Sequence, residues 1–180
     1  KSEVSSLDMN LRVSFVPMED VGMVQYITPQ KEKPLGEAYK GYTYFRDNDV
    51  LVAKVTPCFE NGKSGIARYL KNGIGFGSSE LHVIRPSKKI LSEFIYPFVT
   101  SNQFRSDGKI KMTGTGGLQR VPVSHVSDFE IPVPPLAIQR EIVAKIEAEQ
   151  VLLGANRKLV EIFEEKIQAK LAEIWGTEKS

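Results

Sequence analysis

The side chains best equipped for chemistry in this chain lie between residues 54 and 125. Cys58, in Thr56-Pro57-Cys58-Phe59-Glu60-Asn61-Gly62, is the only thiol, and as a thiolate it could attack an electrophilic ring carbon. Gly62-Lys63-Ser64 has the ending of a phosphate-cradling loop of the form GxxxxGK[ST]. The first glycine of that pattern would fall on Pro57, which has no N–H to offer a phosphate. Gly73-Ile74-Gly75-Phe76-Gly77 has the spacing of a dinucleotide loop, but no helical period follows it, so it reads as a tight turn. His82 and His125 each stand in an apolar stretch, without the Cys/His/Asp grouping that a metal site or a triad needs. No carboxylate pair stands out either. The sequence therefore offers no catalytic constellation, no metal site and no cofactor fingerprint, and Cys58 reads as a buried, inert thiol.

What remains is charge and hydrogen-bonding capacity. The formal net charge is only +2, yet residues 50–125 carry 11 basic side chains against 4 acidic ones. Lys54, Lys63, Arg68, Lys71, Arg85, Lys88, Lys89, Arg105, Lys109, Lys111 and Arg120 supply that excess. A cationic face binds any duplex by releasing its counterions. Between these cations stand Thr56, Asn61, Ser78, Ser79, Thr113, Thr115 and Gln119, types that can pin a phosphate backbone or read base edges. A solvated lysine face would have the same composition.

Positioning these residues falls to a succession of short strands. Residues 11–16 alternate as a strand should before Pro17 stops them, and residues 50–55, 66–70, 74–76 and 81–84 read as further strands separated by Gly- and Asn-rich turns. Residues 1–10 read as a polar tail, 18–21 as a short turn, and 28–41, with two prolines and two glycines, as a surface loop. Apolar residues in 90–104 fall near helical spacing, with Pro97 as an expected kink. A small-residue loop at 109–120 then leads into a strand-like stretch, 126–133, and a stiff Pro134-Pro135 hinge.

From Leu136 to Trp175 the pattern is that of one amphipathic helix, about 60 Å long if continuous. Its apolar seam includes Ile142, Ile146, Leu153, Val160, Phe163, Ile167 and Ile174. Glu149, Asn156 and Gly154 interrupt it and mark where the rod is expected to bend or break. The fold class is α+β. A twisted mixed β-sheet domain with short helices occupies residues 1–134, and a long coiled-coil-forming helix occupies 135–180. A chain of 180 residues, 41% hydrophobic, holds one core and an appendage. One cysteine and no run of about 18 apolar residues fit a protein of a reducing compartment outside the membrane. Because the chain starts at Lys1, it is expected to be a piece of a longer product or trimmed at its start.

Four blocks, in this order, carry a resemblance: AKVTPCFENGKSGIA (53–67), GFGSSELHVIRP (75–86), MTGTGGLQRVP (112–122) and IPVPPLAIQREIVAKIE (131–147), with SFVPMEDV (14–21) fitting as well. Together they resemble a target recognition domain and its following helix in the DNA-specificity subunits of type I restriction-modification systems. The resemblance implies a non-catalytic, cytoplasmic prokaryotic protein without a cofactor. It would read one half of a bipartite site in double-stranded DNA and position a DNA adenine methyltransferase subunit and a restriction endonuclease subunit. It also implies that the helix pairs with another, possible partners including a second copy in a homodimer. Where the family's helix start reads Pro-Pro-Leu-x-Glu-Gln, this chain has Pro134-Pro135-Leu136-Ala137-Ile138-Gln139, without the glutamate.

The DNA-facing residues expected from both readings are Lys54, Thr56, Asn61, Lys63, Ser78, Ser79, Lys109, Lys111, Thr113, Thr115, Gln119 and Arg120. The lysines would hold phosphates, and Gln119 and Arg120 would read bases. The parent could be a longer specificity subunit, a half-length subunit that dimerises, or a fused DNA methyltransferase or restriction enzyme. An alternative class is a small cytosine methyltransferase, because Pro57-Cys58 resembles the nucleophile dipeptide of those enzymes.

Overall fold

The structure, a computed structural model, describes residues 1–176. Its strands are β1 (Arg12–Val16), β2 (Met23–Ile27), β3 (Lys31–Pro34), β4 (Thr43–Arg46), β5 (Val50–Ala53), β6 (Ser64–Ala67), β7 (Ile74–Gly77) and β8 (Leu81–Ile84). They form two four-stranded sheets rather than the single one expected, ordered β3-β1-β7-β4 and β2-β6-β5-β8. Each sheet is mixed: β1 runs parallel to β7 and β2 parallel to β6, and the remaining pairs are antiparallel.

Side-chain alternation explains the stacking of the two sheets. Val16, Phe45 and Leu51 point into a core shared by both, together with Ala67, Leu70 and Leu81. Residues one position away point outward. Val13, Phe15, Ile74 and Phe76 meet Val4, Leu35 and Ala38 on the far side of the first sheet. Val50, Val52 and Ile66 meet Ile95, Val99 and Phe104 on the far side of the second. Those covers come from the N-terminal turn Ser2–Val4 and helix α1 (Leu35–Tyr39) in the first case and from α2 (Ser92–Val99) and α3 (Asn102–Ile110) in the second. The glycine pattern around Gly75 belongs to this packing. A Cβ on Gly75 would stand 2.1 Å from the Phe45 ring, so the glycine is there to admit an aromatic side chain, not a nucleotide.

Several expectations are corrected. The supposed loop at 28–41 contains β3 and α1. β3 lies at the sheet edge, where Pro34 at its end costs no ladder bond. The supposed polar tail is docked: Val4 is buried, and Glu3 accepts hydrogen bonds from Tyr44 and Arg46 and pairs with Arg85. Residues 126–133 form no strand. Helix α4 (Val123–Ser127) is followed by extended chain whose Phe129 and Ile131 are apolar because they pack on the core. Pro97 lies inside α2 without ending it, and the Thr100 N–H still reaches the Tyr96 carbonyl.

Helix α5 (Leu136–Trp175) is continuous, with no break at Gly154 or Asn156; the last residues of the expected helical segment, 177–180, lie outside the described residues. By its contacts the chain divides after Gln139, with Lys1–Gln139 as one unit and the second starting at Arg140. The first turn of α5 thus belongs to the α/β unit. There Gln139 is fully buried: its Oε1 accepts from Leu91 N–H at 2.9 Å and its Nε2 donates to the carbonyls of Lys89 and Pro134 at 2.8 and 2.7 Å.

Candidate nucleic-acid interface

Three segments that the sequence placed far apart converge at one end of the second sheet, where β5 ends and β8 begins. The outermost is a hairpin, β9 (Thr113–Thr115) and β10 (Leu118–Arg120). Its two-residue turn, Gly116-Gly117, has φ of 64° and 79°. Two left-handed residues give the turn whose twist matches the flanking strands, and glycine adopts that conformation without strain. Gly114 is equally constrained, since a Cβ there would stand 2.3 Å from the Leu118 carbonyl oxygen. Residues 113–119 are all exposed.

An exposed two-stranded ribbon is only as rigid as its base, and this base is well tied. Thr56 N–H donates to Gln119 O at 3.0 Å, and Val121 N–H donates to Lys54 O at 2.8 Å. The Thr56 hydroxyl donates to Gly117 O at 2.6 Å and accepts from Gln119 N–H at 3.0 Å. Lys54 N–H reaches Glu80 O at 2.9 Å, bringing in the turn between β7 and β8. The Glu80 carboxylate accepts from Arg120 Nε at 2.9 Å and from Nη2 at 2.7 Å. Those two bonds, and then the nearby Arg120 and Lys54 charges, hold the Glu80 carboxyl below the usual carboxylate range.

The structure sorts the expected residues. Lys54, Thr56, Ser78, Ser79, Thr113, Thr115, Gln119 and Arg120 gather around the hairpin and its base, and Lys111 stands exposed just before it. Thr56 is a structural pin rather than a free hydroxyl, and the Ser78 Oγ accepts from Glu80 N–H. The turn carrying Asn61 and Lys63 packs instead on α3, where Arg105 lies against Gly62. Lys63 Nζ donates to Met18 O at 3.2 Å, which gives the Gly62-Lys63-Ser64 lysine a structural role. Lys109 lies in the last turn of α3, not in a loop, 3.8 Å from Glu60. Sequence reasoning missed Glu80 as the partner of Arg120; nothing local signals a partner 40 residues away.

A cavity of about 620 Å³ lined by Tyr26, Thr28, Asp47, Asn48, Arg68 and Tyr69 lies at the opposite end of this sheet. Its two charged side chains are engaged in the fold: Arg68 pairs with Glu93, and Asp47 accepts from Leu70 N–H. Among the described residues, no three His, Cys, Asp or Glu side chains gather as a metal site, and no helix is long and apolar enough to cross a membrane.

Residues 2–149 match the family model of the type I restriction modification DNA specificity domain. The chain belongs to that specificity family. It is similar to two Escherichia coli proteins. One is the type I restriction enzyme EcoEI specificity subunit, at 36% identity over 97% of this chain and 32% of that protein. The other is the EcoAI specificity subunit, at 35% identity over 94% and 32%. The chain therefore spans about a third of the length of these curated relatives. Among solved structures, the HsdS subunit from Thermoanaerobacter tengcongensis matches with a TM-score of 0.68 at 26% identity, over 92% of this chain and 43% of that one. A chain from structural work on assembly and conformational transition of the type I R-M system matches with a TM-score of 0.64 over 87% and 35%; at 18% identity it shows the fold alone.

In this member of the specificity family both histidines serve the scaffold of the hairpin. His82 Nε2 donates to Val121 O at 2.9 Å, and His125 Nε2 donates to Phe104 O at 2.9 Å with its ring 4.5 Å from that of Phe104. A carbonyl can only accept, so both rings carry a proton on Nε2. Burial, the dominant cause, pushes both below the ordinary value of 6.5; Lys54 adds to this at His82 and Lys111 at His125, against Asp107. A depressed native pKa means that the unfolded chain takes up protons first as the pH falls. Stability is therefore full above about 6.5 and declines below it. The urea midpoint is expected to fall between pH 7.5 and 5.5, and combining His82→Gln with His125→Phe should flatten that slope. An equal slope in the variant would count against this account.

Proposed function

We propose that this chain is a non-catalytic DNA-recognition module that reads one half of a bipartite duplex target in the prokaryotic cytoplasm. An adenine methyltransferase and an endonuclease subunit would supply the chemistry. The observation that carries the reading is the hairpin at residues 113–120: exposed from 113 to 119, fixed at its base, and flanked by Lys54 and Lys111. A ribbon of two strands fits the major groove of B-DNA, and cations at its margins meet the phosphates. Both curated relatives are named as specificity subunits of type I restriction enzymes, which supports the same reading. Lys54 and Lys111 are the first candidates for phosphate contacts, because Lys63 already serves Met18 and Lys109 faces Glu60.

Duplex binding by the assembled enzyme tests this. The logarithm of the binding constant should fall linearly with that of the salt concentration. Lys54→Ala and Lys111→Ala should each reduce the slope by about 0.9 and weaken all sequences alike. Binding indifferent to salt would refute the reading.

A further inference from the structure

We propose that Glu80 and Arg120 form a pre-oriented guanine reader, with Arg120 meeting the O6/N7 edge in the major groove and Glu80 as its positioning residue. This rests on the DNA-recognition reading. Glu80 takes Nε–H and one hydrogen of Nη2, the side of the guanidinium nearest its own backbone. The parallel N–H pair at the far end, one from each Nη, remains, and a fork of that kind matches guanine O6 and N7. Side-chain exposure agrees, at 43% for Arg120 against 26% for Glu80.

A phosphate could accept the same fork, so charge has to decide between the two acceptors. Glu80 already balances the guanidinium, and its carboxylate would repel an incoming phosphate held close to the pair. The O6/N7 edge is an uncharged acceptor and meets no such repulsion. The placement agrees as well. Arg120 lies on β10 beside Gln119, on the element shaped for the groove, while Lys54 and Lys111 lie beside it without a bidentate carboxylate partner. Glu80 is itself held, by its carbonyl to Lys54 N–H at 2.9 Å and by its N–H to Ser78 Oγ at 3.2 Å. The fork is therefore aimed before DNA arrives, and less conformational freedom is lost on binding.

The test measures, in the assembled enzyme, affinities for the target duplex and for its single-base-pair variants over a range of salt. Wild type should prefer guanine at one position by about 10- to 100-fold. Arg120→Ala should erase the preference at that position and leave the others. Arg120→Lys, with the charge but no fork, should do nearly the same. Glu80→Gln should cut the guanine preference several-fold and steepen the salt slope, because an uncompensated Arg120 is free to take a phosphate. A merely structural pair would change neither preference nor slope. If Arg120→Ala weakens every duplex equally and flattens the slope by about 0.9, the residue holds a phosphate and the inference is overturned. It is also overturned if the variant lowers only the melting temperature. Should wild type show no salt-dependent duplex binding, the recognition reading itself fails and takes this inference with it.

Discussion

Gln139→Ala is expected to destabilise the α/β unit by about 3 kcal/mol or more, although the residue touches no candidate DNA contact. Its side-chain amide satisfies three buried backbone groups at once, the N–H of Leu91 and the carbonyls of Lys89 and Pro134. Each group left without a partner costs about 1–3 kcal/mol, less whatever an entering water restores. For a domain of this size, 3 kcal/mol corresponds to a fall in melting temperature of roughly 6–12 °C. Leucine, of similar volume, should do no better, because volume is not what is lost. Glutamate retains the acceptor for Leu91 but turns a second oxygen toward two carbonyls, so Gln139→Glu should also destabilise, and more at pH 8 than at pH 5. Thermal unfolding of the three variants decides the matter. A shift of a degree or two in all of them would mean that the lone helix turn, not the amide, holds this junction together.

That junction also shows what could be read from residues alone. The Pro134-Pro135 stop and the helix after it were legible, because proline and a period of 3.5 act locally. The role of Gln139 was not: its partners lie 48 and 50 residues away. The same division holds elsewhere. β1, β5 and β8 announced themselves by apolar alternation or by short apolar runs, whereas β3, Lys-Glu-Lys-Pro, has no such pattern and exists because β1 pairs with it in register. Residues 126–133 misled in the opposite direction, being apolar for packing and not for pairing. At the candidate site, glycine and threonine types marked a small-residue loop at 109–120, which is instead the end of α3 followed by a hairpin, and Lys54, Thr56, Gln119 and Arg120 were all brought to it. Which donors remain free there depends on Glu80 and Met18, and only tertiary structure supplies those partners.

Helix α5 carries the other large effect. Positions 142, 146, 149, 153, 156, 160, 163, 167, 170 and 174 alternate by four and three, the repeat that keeps one face of a helix against a neighbour over its whole length. Leu153, Val160, Phe163, Ile167 and Ile174 on that seam are all exposed. Fully burying side chains of this size contributes about 1.5–3 kcal/mol each, so a helix seated on the seam would gain much, and a second copy of this chain offers a matching face. Sedimentation at tens of micromolar should find wild type associated. Replacing both Val160 and Phe163 by glutamate should weaken association at least 100-fold, since two anchors are lost and two charges would have to be buried. Asn156→Ile should act in the opposite direction, tightening association while relaxing register, because a polar side chain inside an apolar seam fixes alignment at a cost in stability. If wild type and the double variant both sediment as monomers, a second copy is not what the seam is built for, and a helix of different sequence must supply the knobs for its holes.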